Sequence, residues 1–129
     1  MDLDEMKRID SEVGAAISSG DLDAFDDLMS PQLAASFKED IAELRRAFPD
    51  YGGTNERQVA EVDTVATRFL FYGTHQGEFF GVAPTGKRIT FAGLSMSRFA
   101  EGRMVDTIVE MDWLEVLRQL GYPGLPNEE

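Results

Sequence analysis

What most constrains this chain is a change of period. Between Leu3 and Phe48 the apolar residues recur every three or four positions, whereas from Val65 to Trp113 long runs of β-branched and aromatic residues alternate with polar ones. Pro49-Asp-Tyr-Gly-Gly53 separates the two regimes. Helices first and a meander of strands afterwards is the α+β pattern, in which helices cover one face of a curved antiparallel sheet.

In the helical half, Leu3, Met6, Ile9, Val13 and Ile17 predict an amphipathic helix that stops at Ser18, Ser19 and Gly20. Asp21 can cap a second, short helix burying Leu22, Phe25, Leu28 and Met29. Ser30 before Pro31 opens a third, whose stripe of Leu33, Phe37, Ile41, Leu44 and Phe48 keeps phase to about Ala47. A competing start at Ser36, with Glu39 completing a capping box, would break that phase.

In the β half, residues 54–62 form a polar edge or protruding strand, residues 65–72 and 87–99 two long strands, and residues 103–113 the last. Residues 114–120 read as a final helical turn or two closed by Gly121, and residues 122–129 as a flexible tail. With 129 residues, 43% of them hydrophobic, one domain spanning 1–129 accounts for the whole chain.

Composition removes several classes of function. There is no cysteine, so disulfides, thiolate metal sites and thiol nucleophiles are excluded. Twenty-four acidic against twelve basic residues leave a net charge of −12, which repels nucleic acid and anionic membranes. No segment approaches the ~18 apolar residues of a membrane span, and the acidic start has no apolar run behind it, so a cytoplasmic protein is expected. Gly81-Val-Ala-Pro-Thr-Gly-Lys87 nearly spells a phosphate loop, but Arg88 stands where Ser or Thr must hold magnesium and a strand follows where a helix must start. A single histidine makes a zinc site improbable, and Ser95 and Ser97 have no histidine that the sequence places beside them.

The last strand carries the chemistry that the sequence offers. One face holds Val105, Thr107, Val109, Met111 and Trp113 and belongs in a core. The other, with Met104, Asp106, Ile108, Glu110 and Asp112, is either half lining a cavity or facing water. In a partly dry pocket, a carboxyl such as Asp112 has its pKa raised towards the working pH and can serve as general acid or base, with Glu110 or Asp106 as partner. His75 can exchange a proton with a substrate oxygen or pin a hairpin to backbone. Arg68 and Tyr72 share a strand face; Arg68, like Arg98 on the next strand, can bind a substrate carbonyl or form an ion pair. Met96, Phe80, Phe79, Phe69, Phe71 and Leu94 are candidates for an apolar pocket wall, for core, or for a sheet face covered by a second subunit.

A chain of short motifs between Arg45 and Gly121 resembles the SnoaL-like polyketide cyclase family. They are Ala47-Phe-Pro-Asp50, Val65 through Arg68, Gly73-Thr-His-Gln-Gly77 with Phe80-Gly81, Pro84-Thr-Gly86, Arg98-Phe-Ala-Glu-Gly-Arg-Met104, and Asp112 with Leu117-Arg-Gln-Leu-Gly121. The resemblance implies the cone-shaped α+β roll of nuclear transport factor 2 and ketosteroid isomerase, three N-terminal helices packed on a curved antiparallel sheet. It also implies a homodimer formed through that sheet. The activity implied is intramolecular aldol cyclisation of an aromatic polyketide ester, a hydrophobic small molecule, by a carboxylate acid/base with no cofactor and no metal. The family's key aspartate aligns with Asp112; its usual Glu-His-Trp triplet aligns with Asp106, Thr107 and Ile108, and the strand it inserts between the second and third helices is replaced by residues 29–36 alone. Those departures keep two further readings open: a non-catalytic binding or assembly module, and an epoxide-opening enzyme in the same pocket.

Overall fold

The computed structural model describes residues 1–125. Helix α1 (Leu3–Ser19) is capped by the Asp2 carboxylate, which accepts from Glu5 N at 2.7 Å, and ends where Gly20 turns left-handed and donates to Ala16 O. A 3-10 turn (Leu22–Ala24) runs into the single turn α2 (Phe25–Leu28). Asp21 precedes it without making the capping bond expected of its side chain. Helix α3 (Pro31–Ala47) has the bounds read from its stripe; it passes through Ser36 unbroken because the apolar phase outweighs the local capping box.

Strands β1 (Gly52–Glu61), β2 (Thr64–Thr74), β3 (Arg88–Ala100) and β4 (Arg103–Met111) form one antiparallel sheet in chain order. Its inner face presents Val65, Thr67, Phe69 and Phe71 from β2 and Ile89, Phe91, Ser97 and Phe99 from β3 to the apolar sides of α1 and α3. The last strand is two residues shorter than expected. Asp112 ends it by capping helix α4 (Trp113–Gln119), its carboxylate accepting from Glu115 N at 3.2 Å. Of the tail expected over residues 122–129, residues 126–129 lie outside the described residues; Tyr122 N donates back to Leu117 O.

Two bulges decide which side chains face inward. In β1 the register slips between Asn55 and Arg57, so Gln58, rather than Arg57, lies opposite Thr67. Between β3 and β4, Arg98 pairs with Asp106 but Phe99 with Met104, leaving Val105 as the extra residue and turning Met104 into the core. Beyond that bulge the outward face of β4 is Asp106, Ile108 and Glu110. The described residues contain no helix long and apolar enough to cross a membrane.

Candidate functional site

A charged residue stands on the buried stripe of α1. Asp10 lies four residues after Met6, three before Val13 and seven before Ile17, so it shares their face and is 8% exposed. Two donors reach it from the sheet. Thr67 Oγ1 donates to Asp10 Oδ2 at 2.6 Å and Gln58 Nε2 donates to the same oxygen at 2.8 Å. The Thr67 bond is at the short end of the range for a hydroxyl donor. Gln58 is held by α1 itself, its Nε2 also donating to Lys7 O at 3.3 Å and its Oε1 accepting from Ser11 Oγ at 3.4 Å. Burial pushes the Asp10 carboxyl above the ordinary aspartate range, and the Thr67 and Gln58 bonds oppose that rise.

Asp10 forms part of the wall of a cavity of about 70 Å³ between the helices and the inner sheet face. Val13, Ile17, Phe37, Phe69, Val109 and Met111 supply apolar wall; Asn55, Thr67, Ser95, Ser97 and Thr107 supply polar groups. The Ser97 and Thr107 hydroxyls bond each other across strands at 2.8 Å. The Tyr51 ring stacks on Phe71 with centroids 4.8 Å apart and borders the same cavity; its Oη is buried with no hydrogen-bond partner. Gly14, Asn55, Phe69 and Phe71 also line an open groove of about 530 Å³ between α1 and β1. The cavity is mainly apolar and partly open, and the buried carboxyl on its wall marks it as a candidate site.

Of the residues singled out from the sequence, Phe69 and Phe71 border this cavity, whereas the candidates for chemistry lie elsewhere. The cavity-facing side of β4 is Thr107, Val109 and Met111, which places Asp106 and Glu110 on the exposed outer face and leaves Asp112 exposed as the α4 cap. Arg68 is also on the outer face, where its Nε lies 2.9 Å from Glu56 Oε1. Tyr72 is covered by the Arg88 guanidinium at 5.0 Å from its ring centroid, and Arg98 is exposed opposite Asp106. Met96 is 58% exposed on the outer face, and Phe80, 62% exposed, occupies a left-handed backbone position at φ 47°.

His75 is fully buried and does not border the cavity. Its Nδ1 accepts from Thr85 N at 3.1 Å and lies 2.9 Å from Thr85 Oγ1, so the neutral ring carries its proton on Nε2. With His75 N donating to Lys87 O and Gly86 N to His75 O, the side chain ties down the hairpin between β2 and β3. Burial pushes the ring's pKa below the usual histidine value, which keeps Nδ1 available as an acceptor. Among the described residues no group of three or more His, Asp or Glu side chains converges as metal ligands would.

The residues that do converge, Asp10, Gln58 and Thr67, escape a reading of the strands because they come from three elements and one of them depends on a bulge. The available signal was a carboxylate in phase with the apolar stripe of α1. A helical roof over an antiparallel sheet is shared with a known family: residues 8–120 match the SnoaL-like polyketide cyclase model, and the chain belongs to that family. Among characterised relatives, the aklanonic acid methyl ester cyclase AcmA of Streptomyces galilaeus is 30% identical over 105 residues, 81% of this chain and 71% of that one. The corresponding cyclase DnrD of Streptomyces peucetius is 27% identical over 108 residues, covering 83% and 72%. The crystal structure of AclR from Streptomyces galilaeus superposes with a TM-score of 0.86 at 30% identity over 98% of this chain and 87% of that one. That of IdmH from Streptomyces antibioticus does so at 0.81 and 29%, over 90% and 98%.

Proposed function

We propose that this protein cyclises a hydrophobic, oxygenated small molecule of polyketide type, with Asp10 as the group that takes and returns the proton. The observation that carries the reading is a carboxyl on a chamber wall whose pKa is raised by burial and whose Oδ2 is held by two donors. Oδ1 makes neither bond and is the oxygen assigned to proton transfer. In an intramolecular aldol step, a C–H proton passes to Asp10, the carbon left behind attacks a carbonyl carbon of the same molecule, and the resulting alkoxide takes the proton back. Protons and electrons close within this cycle, so the chemistry asks for no redox cofactor. The cavity of about 70 Å³ takes only a small part of such a molecule, and the groove of about 530 Å³, which shares Gly14, Asn55, Phe69 and Phe71 with it, takes the remainder.

Aklanonic acid methyl ester, after which the two cyclases above are named, is the first compound to test, together with simpler aromatic keto esters. Catalytic conversion to an isomer of unchanged mass with a new carbon ring, followed by chromatography and NMR, is expected. Saturable binding of these compounds without conversion would overturn the enzyme reading in favour of a binding module.

The outer sheet face supports a second part of the proposal, a homodimer. Register places Val59, Ala66, Met96 and Ile108 in one row across all four strands, with Leu94 beside it. Met96, Ile108 and Leu94 are 58%, 60% and 55% exposed, an apolar patch of the kind that marks interfaces. Arg68 and Glu110 flank Leu94 from opposite sides, a charge order that a twofold-related copy complements. Sedimentation at tens of micromolar is expected to show a dimer that Met96→Glu converts to monomer; a monomeric wild-type protein would remove this part.

A further inference from the structure

One residue bordering the cavity carries a buried polar group that neither the fold nor the proton transfer uses. Tyr51 is 1% exposed, its ring is held by the stack on Phe71, and its hydroxyl has no partner. A buried donor left unpaired costs about 1–3 kcal/mol, and removing the hydroxyl while keeping the ring would relieve that cost. At the wall of a cavity, such a group can be completed by a molecule from outside the chain. We propose that the Tyr51 phenol is a substrate-binding donor that receives a carbonyl oxygen of the ligand in the chamber described above. The proposal rests on that chamber being the ligand site and assigns the ligand a feature that the acid/base reading leaves open.

Position on β2 defines the feature. Asp10 is bonded to Thr67 and Tyr51 lies on Phe71, four residues further along the same strand face. At about 3.3 Å per residue these points are roughly 13 Å apart along the backbone. Asp10 and Tyr51 therefore address two places on one molecule, a reacting carbon at one end and an oxygen at the other. That placement selects a ligand whose carbonyl oxygen stands apart from its reacting carbon. Burial drives the Tyr51 pKa upwards, so the phenol stays protonated and acts as a donor at any ordinary pH. An oxygen-free ligand of the same shape leaves the hydroxyl unpaired, which is how a site of this kind discriminates.

The test uses 1-indanone and indane, two bicyclic probes that differ by the carbonyl. Wild-type protein is expected to bind 1-indanone about 5- to 10-fold more tightly than indane, the worth of one neutral hydrogen bond. Its bound C=O stretch is expected to move to lower frequency than in an apolar solvent. In Tyr51→Phe both the preference and the shift should be lost, while the melting temperature stays level or rises. A hydroxyl retained for the fold would instead lower it. Asp10→Asn should keep the carbonyl shift, so failure of the acid/base reading and failure of this one give different patterns. Indanone binding no tighter than indane, no binding of either, or a carbonyl shift that survives in Tyr51→Phe overturns the proposal.

Discussion

Asp10→Asn is expected to lower turnover by about 10²- to 10⁴-fold, the range for loss of a general acid or base, and to make the protein more stable at neutral pH. The two effects have one cause. In the unfolded chain an aspartate ionises near pH 3.9, whereas burial raises the Asp10 pKa in the native state. Above about pH 4 the unfolded chain releases a proton that the native protein still holds, so stability falls as pH rises through this window. Once both forms are ionised, the deficit is constant. Asparagine never charges, keeps a carbonyl oxygen for the Thr67 and Gln58 donors, and escapes the deficit. Melting curves at pH 4 and pH 8 should show the two proteins closest at the lower value and the variant ahead at the higher. A variant that is both active and less stable would make Asp10 a structural carboxylate and end its assignment as proton carrier. Gain of stability with loss of activity is the usual exchange at a functional site.

A second large effect is expected far from the chamber, at Gly77. Gln76 N and Gly77 N both donate to Ala47 O, at 2.9 and 3.1 Å, which docks the β2–β3 hairpin on the C-terminus of α3. A Cβ at Gly77 would meet Arg46 O at 2.2 Å and Ala47 Cα at 3.0 Å. Both are main-chain atoms, so no side-chain tip can swing aside, and the hairpin has to lift. It carries Phe79, whose ring packs on Phe48 at 5.2 Å and on Trp113 at 5.7 Å. Gly77→Ala should therefore cost about 3 kcal/mol, the upper end of overpacking penalties, and lower the melting temperature by roughly 10 °C for a domain of this size. Gly81 is the comparison: its φ of 78° makes alanine strained there by about 1–2 kcal/mol, yet nothing lies within 4 Å of the added carbon. If Gly81→Ala proves the more damaging, the hairpin is not docked as described.

Helix α3 was legible to the residue because each signal concerning it is local: proline at its first position, one apolar stripe, and a proline and two glycines shortly after its end. The strands were legible for the same reason, and the family likeness added the curved sheet. The site was not. Alternation along β4 separated an apolar face from one carrying carboxylates, but alternation has no sign, and both faces contain enough hydrophobic residues to be packed. Turning Thr107, Val109 and Met111 towards the cavity left Asp106 and Glu110 outside, and the end of the strand turned Asp112 into a helix cap. Asp10 carried a readable trace, its phase with Met6, Val13 and Ile17, whereas Gln58 carried none, since by simple alternation from Asn55 its place belongs to Arg57.

The sequence by itself determined the elements, their order, the class of fold and the absence of thiol chemistry, all of which follow from period, turn residues and composition within short windows. Only the tertiary structure decided which face of each strand looks inward, and so which of the 24 acidic residues meets Thr67 and Gln58. The reason is physical. A bulge shifts register by one residue at little local cost, yet reverses the direction of every side chain beyond it. The environment that raises a carboxyl's pKa is built by groups 48 and 57 positions away along the chain.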